Sequence, residues 1–316
     1  MKDSAASAME IQHLKSLAMH QTLSLPTYIT HLQMNFSAGG IGSAPWDASV
    51  ILSNFILENS HHFKGATVHE VGAGVGLPGI VAARYCRRAI MSDYVPILID
   101  NMNYNIKLNQ CKALGEEPQK YWDMECDGAQ SQGYEDIVMP EVRKQVAEKQ
   151  AETGKLDHDW RNPGFIMPDR ELIEQNRHNM SVNVSRSAVA YMLDWLDFAK
   201  LPQEEKNKFK CDIILGSEVS YSQIQDTLAS LLNLVNETLS PTGAVYFIQS
   251  PDRGTQDEMV AGMEANGFIC TIRDVPERIL QYYATGQRYE RYLYYTFRRP
   301  ASHYPIMGET SDKDEL

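Results

Sequence analysis

Apolar residues recur at helical spacing over 49–57. A short strand expected at 66–71 then leads straight into the glycines of EVGAGVGLPG. Helical spacing returns at 77–85, a short β-rich run follows at 89–92, and 95–109 has the pattern of a helix. This strand-helix-strand-helix alternation predicts a parallel sheet with crossover helices. After a long break, strand patterns resume at 188–193 and 211–215. A helix at 224–239, closed by Pro241 and Gly243, precedes a strand at 244–249. A helix at 255–266 and strands at 268–275 and 291–297 bring the expected total to seven strands. The last strand lies in a tyrosine-rich stretch (Tyr289, Tyr292, Tyr294, Tyr295) whose alternation is that of sheet packing.

The break defines the organisation. Residues 1–39 mix a weakly amphipathic stretch at 11–23 with polar loop and read as an N-terminal extension. The regular pattern opens at Gly39-Gly40-Ile41-Gly42, giving a domain over 40–299 and a C-terminal tail over 300–316. Residues 115–186 have no strand pattern and are rich in Glu, Gln, Lys and Asp, with charged helical stretches opened by Pro140 and Pro168. That is too long for a plain connection in a compact domain, so the segment is expected to be a charged helical insertion.

The chain has 316 residues, 43% of them hydrophobic, which suits one large α/β domain. Its 29 basic and 41 acidic residues leave a net charge of −12, which repels nucleic acid and suits a cationic partner. The five cysteines have no paired spacing with one another or with histidine, so neither a metal centre nor a disulfide framework is expected. Adjacent His61 and His62 cannot share a helical face as ligands. No stretch approaches the roughly 18 apolar residues of a membrane span, so no membrane association is expected. The ending Lys313-Asp314-Glu315-Leu316 spells an endoplasmic-reticulum retrieval signal, yet Asp3, Glu10, His13 and Lys15 interrupt any signal-peptide core. The ending is therefore read as incidental, and a cytoplasmic or nuclear location is expected.

The chemistry begins in the glycines. Directly after a strand and opening a helix, Gly72, Gly74, Gly76 and Gly79 let a ligand approach the backbone while the helix N-terminus faces it. Gly74-x-Gly76-x-x-Gly79 fits a dinucleotide fingerprint, and Glu70-x-Gly72-x-Gly74-x-Gly76 fits the looser loop of S-adenosylmethionine enzymes. Placement favours the second, because the dinucleotide frame would start three residues past the strand end and put Pro78 in the first helical turn. Asp93, ending the next strand, stands where an acid can take both ribose hydroxyls of either cofactor, or can cap the helix that begins near Val95-Pro96.

Four stretches in order, APWDAS, EVGAGVGLPG, LDWLD and GSEVSYS, give the chain a specific resemblance to the seven-strand S-adenosylmethionine-dependent methyltransferases of family 16, the protein-lysine methyltransferase group. SDYVPILIDNMNYNI looks closest to the nicotinamide N-methyltransferase-like branch, which resembles elongation-factor methyltransferases. The resemblance implies a Rossmann-like seven-strand sheet, mostly parallel with an antiparallel last strand and with helices on both faces. It implies S-adenosyl-L-methionine as cofactor, with Trp46 packed against it and Glu70, Gly72, Ala73, Gly74 and Gly76 forming its loop. It places Asp93 on the ribose, Trp195 with neighbouring Asp194 at the adenine, and Ser217 beside the methionine moiety. Glu218-x-x-Tyr221 matches the family's acidic-x-x-Tyr motif, with a polar Ser220 where many members carry an apolar residue. That pair is the expected catalytic pair.

The expected reaction is N-methylation of a lysine side chain, or an N-terminal amine, on a protein with a basic acceptor site. A small-molecule methyltransferase of nicotinamide type and a cofactor-binding interaction scaffold are the alternatives. A carboxylate near the amine favours its protonated form, so Glu218 is expected to dock and align the incoming cation and not to act as base. Tyr221 would hold the nitrogen by a hydrogen bond or by its ring face.

Overall fold

The computed structural model describes residues 8–11, 27–30, 42, 45–113, 188–220, 225–251, 254–277, 279–280 and 291–309. The expected insertion at 115–186, Tyr221, Tyr289 and the Lys313–Leu316 ending lie outside the described residues.

Among the described residues the strands are β1 (Ala8–Ile11), β2 (Thr27–Thr30), β3 (Thr67–Val71), β4 (Arg88–Asp93), β5 (Ala188–Met192), β6 (Cys211–Ser217), β7 (Leu239–Gln249), β8 (Ile269–Asp274) and β9 (Leu293–Arg298). The helices are α1 (Asp47–Glu58), α2 (Ser60–Phe63), α3 (Leu77–Ala82), α4 (Pro96–Ala113), α5 (Trp195–Phe198), α6 (Gln203–Asn207), α7 (Gln225–Thr238) and α8 (Gln256–Ala265). Seven strands form one sheet in the order β5-β4-β3-β6-β7-β9-β8. The pairs from β5 through β7 are parallel, and β9 runs antiparallel to both β7 and β8. This is the Rossmann-like, mostly parallel sheet with an antiparallel last strand that the sequence pattern and resemblance imply.

Successive residues of a strand face opposite sides of the sheet, and both sides are covered along β6 and β7, which is why 213–215 and 244–248 read as apolar runs, whereas the edge strand β8 is largely exposed. Along β7, Ala244, Tyr246 and Ile248 join one apolar cluster, with Ile51, Phe55, Ile80 and Met102 from α1, α3 and α4. Val245 and Phe247 join the other, with Phe198, Leu231, Val235 and Met259 from α5, α7 and α8. Tyr292, Tyr294 and Tyr295 are all buried, as the sheet-packing reading of the tyrosines expects.

Three features differ from the sequence pattern. β1 and β2 pair antiparallel within the expected extension. β7 starts at Leu239, before Pro241 and Gly243, because Cys211 pairs with Leu239 and the register then shifts so that Ile213 meets Ala244. The proline and glycine that signal a helix end thus sit in a bulged strand entry, a place that tolerates both. Residues 299–309, most of them assigned to the tail, pack on the domain. Tyr304 and Met307 are buried in the α1 face, Tyr246 Oη donates to the Pro305 carbonyl at 2.8 Å, and Met307 N–H donates to Thr296 Oγ1 at 3.1 Å.

The chain passes from β3 outward to β4 and β5 on one side, and β6 and β7 lie on the other. The order reverses between β3 and β6, and open α/β sheets bind ligands outside the strand carboxyl ends at such a switch point. Val71 and Ser217 end the two strands that flank it.

Candidate functional site

At the end of β3 the backbone turns through Gly72 (φ 59°), Gly74 (φ 55°) and Gly76 (φ 81°), all in the left-handed region. Cross-strand bonds fix the turn. Ala73 N–H donates to the Ser92 carbonyl at 2.9 Å, and Gly76 N–H donates to the Ala73 carbonyl at 2.8 Å. Gly74 N–H donates to Asp93 Oδ2 at 3.0 Å, while Asp93 Oδ1 accepts from Val95 N–H at 3.1 Å. Asp93 thus joins the glycine turn to the entry of α4, and its carboxylate retains lone pairs for further donors.

A second carboxyl lies beside this turn. Glu70, in β3 and 1% exposed, accepts from Gly79 N–H through Oε2 at 2.7 Å, and its buried Oε1 has no hydrogen-bond partner. Burial lifts this carboxyl to about 8 against the opposing Gly79 bond, and the nearby Asp93 charge adds to the rise. Burial also raises Asp93, against three backbone N–H groups that favour its charged form. Two carboxyls held up by burial beside one glycine loop suit a ligand that brings positive charge, because a nearby cation stabilises the anionic form of each.

The preceding segment sits on this turn. A Cβ on Gly74 would lie 2.8 Å from the Gly42 carbonyl oxygen, so Gly42 and the loop meet backbone to backbone. Gly74→Ala combines that clash with a left-handed backbone, which costs about 1–2 kcal/mol for an L-residue. It is expected to lower the unfolding midpoint by roughly 3–8 °C, read by circular dichroism. An unchanged midpoint would mean that Gly42 moves aside freely. Trp46 follows four residues after Gly42, half-buried as the N-cap of α1, and its carbonyl accepts from Ser49 N–H at 2.9 Å and Ser49 Oγ at 2.6 Å.

Trp195 opens α5 immediately after β5. A Cβ on Gly72 would lie 3.5 Å from Trp195 Cζ2 and 3.2 Å from Val219 Cγ1, so the loops after β3, β5 and β6 converge at Gly72. Asp194 caps α5, its Oδ1 accepting from Leu196 N–H at 2.9 Å. Ser217, half-buried, ends β6 beside Ile248.

Glu218 is the only non-glycine among the described residues with positive φ, at 56°. Its N–H donates to the Ile248 carbonyl at 2.9 Å and its Oε1 accepts from Ser250 N–H at 2.7 Å, so the side chain is held at the end of β7. Left-handed backbone on a residue with a Cβ concentrates at functional sites, where surrounding bonds over-determine it. Those bonds are present. Ser220 Oγ donates to Gln249 Oε1, Thr255 Oγ1 donates to the Ser220 carbonyl, and Gln256 Nε2 donates to the Ser250 carbonyl at 2.6 Å. The structure therefore brings Glu70, Gly72, Ala73, Gly74, Gly76 and Asp93 into one cradle, with Trp195 and Val219 at its side. Sequence reasoning missed Gly42 as a contact, and it missed Ser250 as the partner of Glu218 and Gln249 and Thr255 as the partners of Ser220. The Gly39-Gly40-Ile41-Gly42 run is the one signal that marked any of them.

Residues 29–142 match the family model described as lysine methyltransferase. That stretch holds Trp46, the glycine loop and Asp93, whereas Asp194, Trp195, Ser217, Glu218 and Tyr221 follow it. The chain is 30% identical over 130 residues to the protein N-lysine methyltransferase METTL21A of Danio rerio, covering 39% of this chain and 59% of that one. It is 37% identical over 75 residues to the protein-lysine N-methyltransferase EEF2KMT of Homo sapiens, 23% of each chain. With the protein N-terminal and lysine N-methyltransferase efm7 of Schizosaccharomyces pombe it shares 41% identity over 64 residues, 20% of this chain and 25% of that one. The matches thus span from 23% to 59% of these relatives' lengths. Across residues 29–142, then, the chain carries the sequence pattern of the lysine methyltransferase family.

Proposed function

We propose that the protein transfers a methyl group from S-adenosylmethionine to an amine nitrogen of a protein, a lysine side chain or an N-terminal amine. The observation that carries this reading is the bond from Gly74 N–H to the Asp93 carboxylate at the sheet's switch point. It sets a left-handed glycine turn and an acid side by side, as a nucleoside-bearing ligand requires. The raised carboxyls of Glu70 and Asp93 fit the group, which is cationic at sulfur. When bound, S-adenosylmethionine supplies an electrophilic methyl group.

The chain's own residues supply binding and alignment. Asp93 accepts the ribose hydroxyls on its remaining lone pairs, the Gly72–Gly74 backbone admits the ligand closely, and the Trp195 ring covers its flat end. A lysine with a pKa of about 10.4 must lose its proton at pH 7, at a cost of roughly 4.6 kcal/mol. Glu218 does not lower that cost, since its carboxylate favours the ammonium. It draws the cation in and fixes the nitrogen's approach, and burial of the amine in the crevice favours release of the proton to water. The net charge of −12 agrees with a basic acceptor.

The test is incubation with methyl-labelled S-adenosylmethionine and a size-fractionated cell extract, with free nicotinamide in a parallel reaction. Label is expected on a protein, at a lysine or N-terminus located by mass spectrometry. Asp93→Ala loses charge-assisted hydrogen bonds of about 1.5–3 kcal/mol, so its cofactor affinity is expected to fall at least about tenfold and its labelling with it. Label on nicotinamide and on no protein would overturn the acceptor class, and affinity within twofold in Asp93→Ala would overturn the role of Asp93.

A further inference from the structure

Asparagines recur at every fourth position of α4. Asn101, Asn105 and Asn109 are all buried. An amide on the inward face of a helix is costly unless it is bonded. Asn109 is bonded along its own helix, Nδ2 donating to the Asn105 carbonyl at 2.8 Å. Asn105 reaches elsewhere: its Nδ2 donates to the Val75 carbonyl at 3.0 Å, thirty residues away in sequence.

Val75 is the middle residue of Gly74-Val75-Gly76, between two glycines in the left-handed region. Asn105 therefore grips the turn at its centre from the α4 side, while Asp93 grips Gly74 N–H from the end of β4. The same side of the loop is backed by sulfur-bearing side chains. A Cβ on Gly76 would lie 3.1 Å from Met102 Cγ and 3.1 Å from Met91 Sδ. Glycines free the backbone to take this shape, and the same freedom lets it leave. A turn that must meet a ligand with its backbone needs an external tether to stay preorganised.

We infer that Asn105 is a positioning residue, which holds the Val75 carbonyl so that the Gly72–Gly76 turn keeps its ligand-binding shape before the ligand arrives. The inference rests on reading that turn as the cofactor cradle, but its geometry can be measured without cofactor.

The amides of Ala73, Gly74 and Gly76, bonded to the Ser92 carbonyl, Asp93 Oδ2 and the Ala73 carbonyl, report the shape of the turn. Hydrogen exchange at these amides is measured in the full chain for the wild type, Asn105→Asp and Asn109→Ala, with S-adenosylmethionine titrated by calorimetry alongside. An ionised aspartate cannot donate to Val75, a neutral one can, and burial moves its pKa upward into an accessible range. Asn105→Asp is expected to lose at least tenfold protection at the three amides at pH 8 and to recover to within threefold of wild type at pH 5.5. Its cofactor affinity is expected to follow the same pH pattern. Asn109→Ala, which removes a buried amide that donates to the Asn105 carbonyl within the same helix, is expected to keep loop protection and affinity within twofold.

A merely structural role would lower protection across the sheet alike, with no selective return at acid pH, and that result overturns the inference. If Asn105→Asp does not fold at pH 8, Asn105→Ala takes its place. Protection lost at the three amides and kept along β3 and β4 supports the positioning role, and unchanged loop protection refutes it. A wild-type chain that binds no S-adenosylmethionine refutes the cofactor reading, while the exchange data still decide the role of Asn105.

Discussion

The ligand-free protein is expected to lose stability as pH rises from about 6.5 to about 8, and Glu70→Gln is expected to abolish most of that loss. Glu70 has an ordinary value of 4.5 and is lifted by burial to about 8 in the folded chain. Between those values the folded state holds a proton that the unfolded state has released, so stability falls as pH rises. The full displacement converts to at most about 5 kcal/mol, a large part of a typical domain's stability. The neighbouring residue acts in the opposite sense. His69, fully buried, with Nε2 2.8 Å from Ser92 Oγ, is lowered by burial from 6.5 to about 3. Below 6.5 the unfolded state binds a proton that the folded state refuses, so stability falls as pH falls. Between about 4.5 and 6.5 the two slopes cancel, and this pair alone gives a plateau there with losses on either side. Chemical denaturation of the wild type and Glu70→Gln from pH 4 to pH 9 reads the difference directly. A stability difference that stays constant with pH would show that Glu70 titrates in the folded chain as it does in the unfolded one.

Glu218→Gln is expected to lower kcat/KM for a protein acceptor on the order of a hundredfold, with cofactor Kd within threefold of wild type. Glutamine keeps an acceptor for Ser250 N–H, so the bond at 2.7 Å that holds the side chain survives. The charge that draws in the ammonium is removed. Alanine is a poorer test because it also leaves Ser250 N–H without its side-chain acceptor. Equal losses in turnover and cofactor affinity would reassign Glu218 to the cofactor, and unchanged turnover would remove it from the reaction.

What could be read from the chain follows its physics. Strands such as β6 and β7 were legible because burial on both faces leaves apolar runs at 213–215 and 244–248, and the glycine turn was legible because glycines cluster where a backbone must bend the left-handed way. Asp93 was legible by position, though not the fact that its two oxygens already hold Gly74 and Val95. Four-residue strands such as β1 and β2 are too short for a period to register. Tyr304 and Met307 belong to no regular element, so nothing in their spacing announces burial. The left-handed backbone of Glu218 is a property of its partners, Ile248 and Ser250, some thirty residues away. Asn105 was hidden because an asparagine in a helix pattern looks like a solvent-facing residue until its tertiary partner is known.

The register of β3 has a consequence for how the molecule is made. One edge of β3 pairs with β4 close by, while Val68, His69 and Glu70 on its other edge pair with Ile213, Ile214 and Leu215. At ribosomal speeds of ~5–20 residues per second, β6 follows β3 on the order of ten seconds later. Throughout that interval the emerging chain carries a strand with one edge of backbone donors and acceptors still without a neighbour, which is a template for pairing with another chain. The segment that bears the family's sequence pattern therefore carries an open strand edge while the rest is made, and cut out alone it is expected to be prone to aggregate.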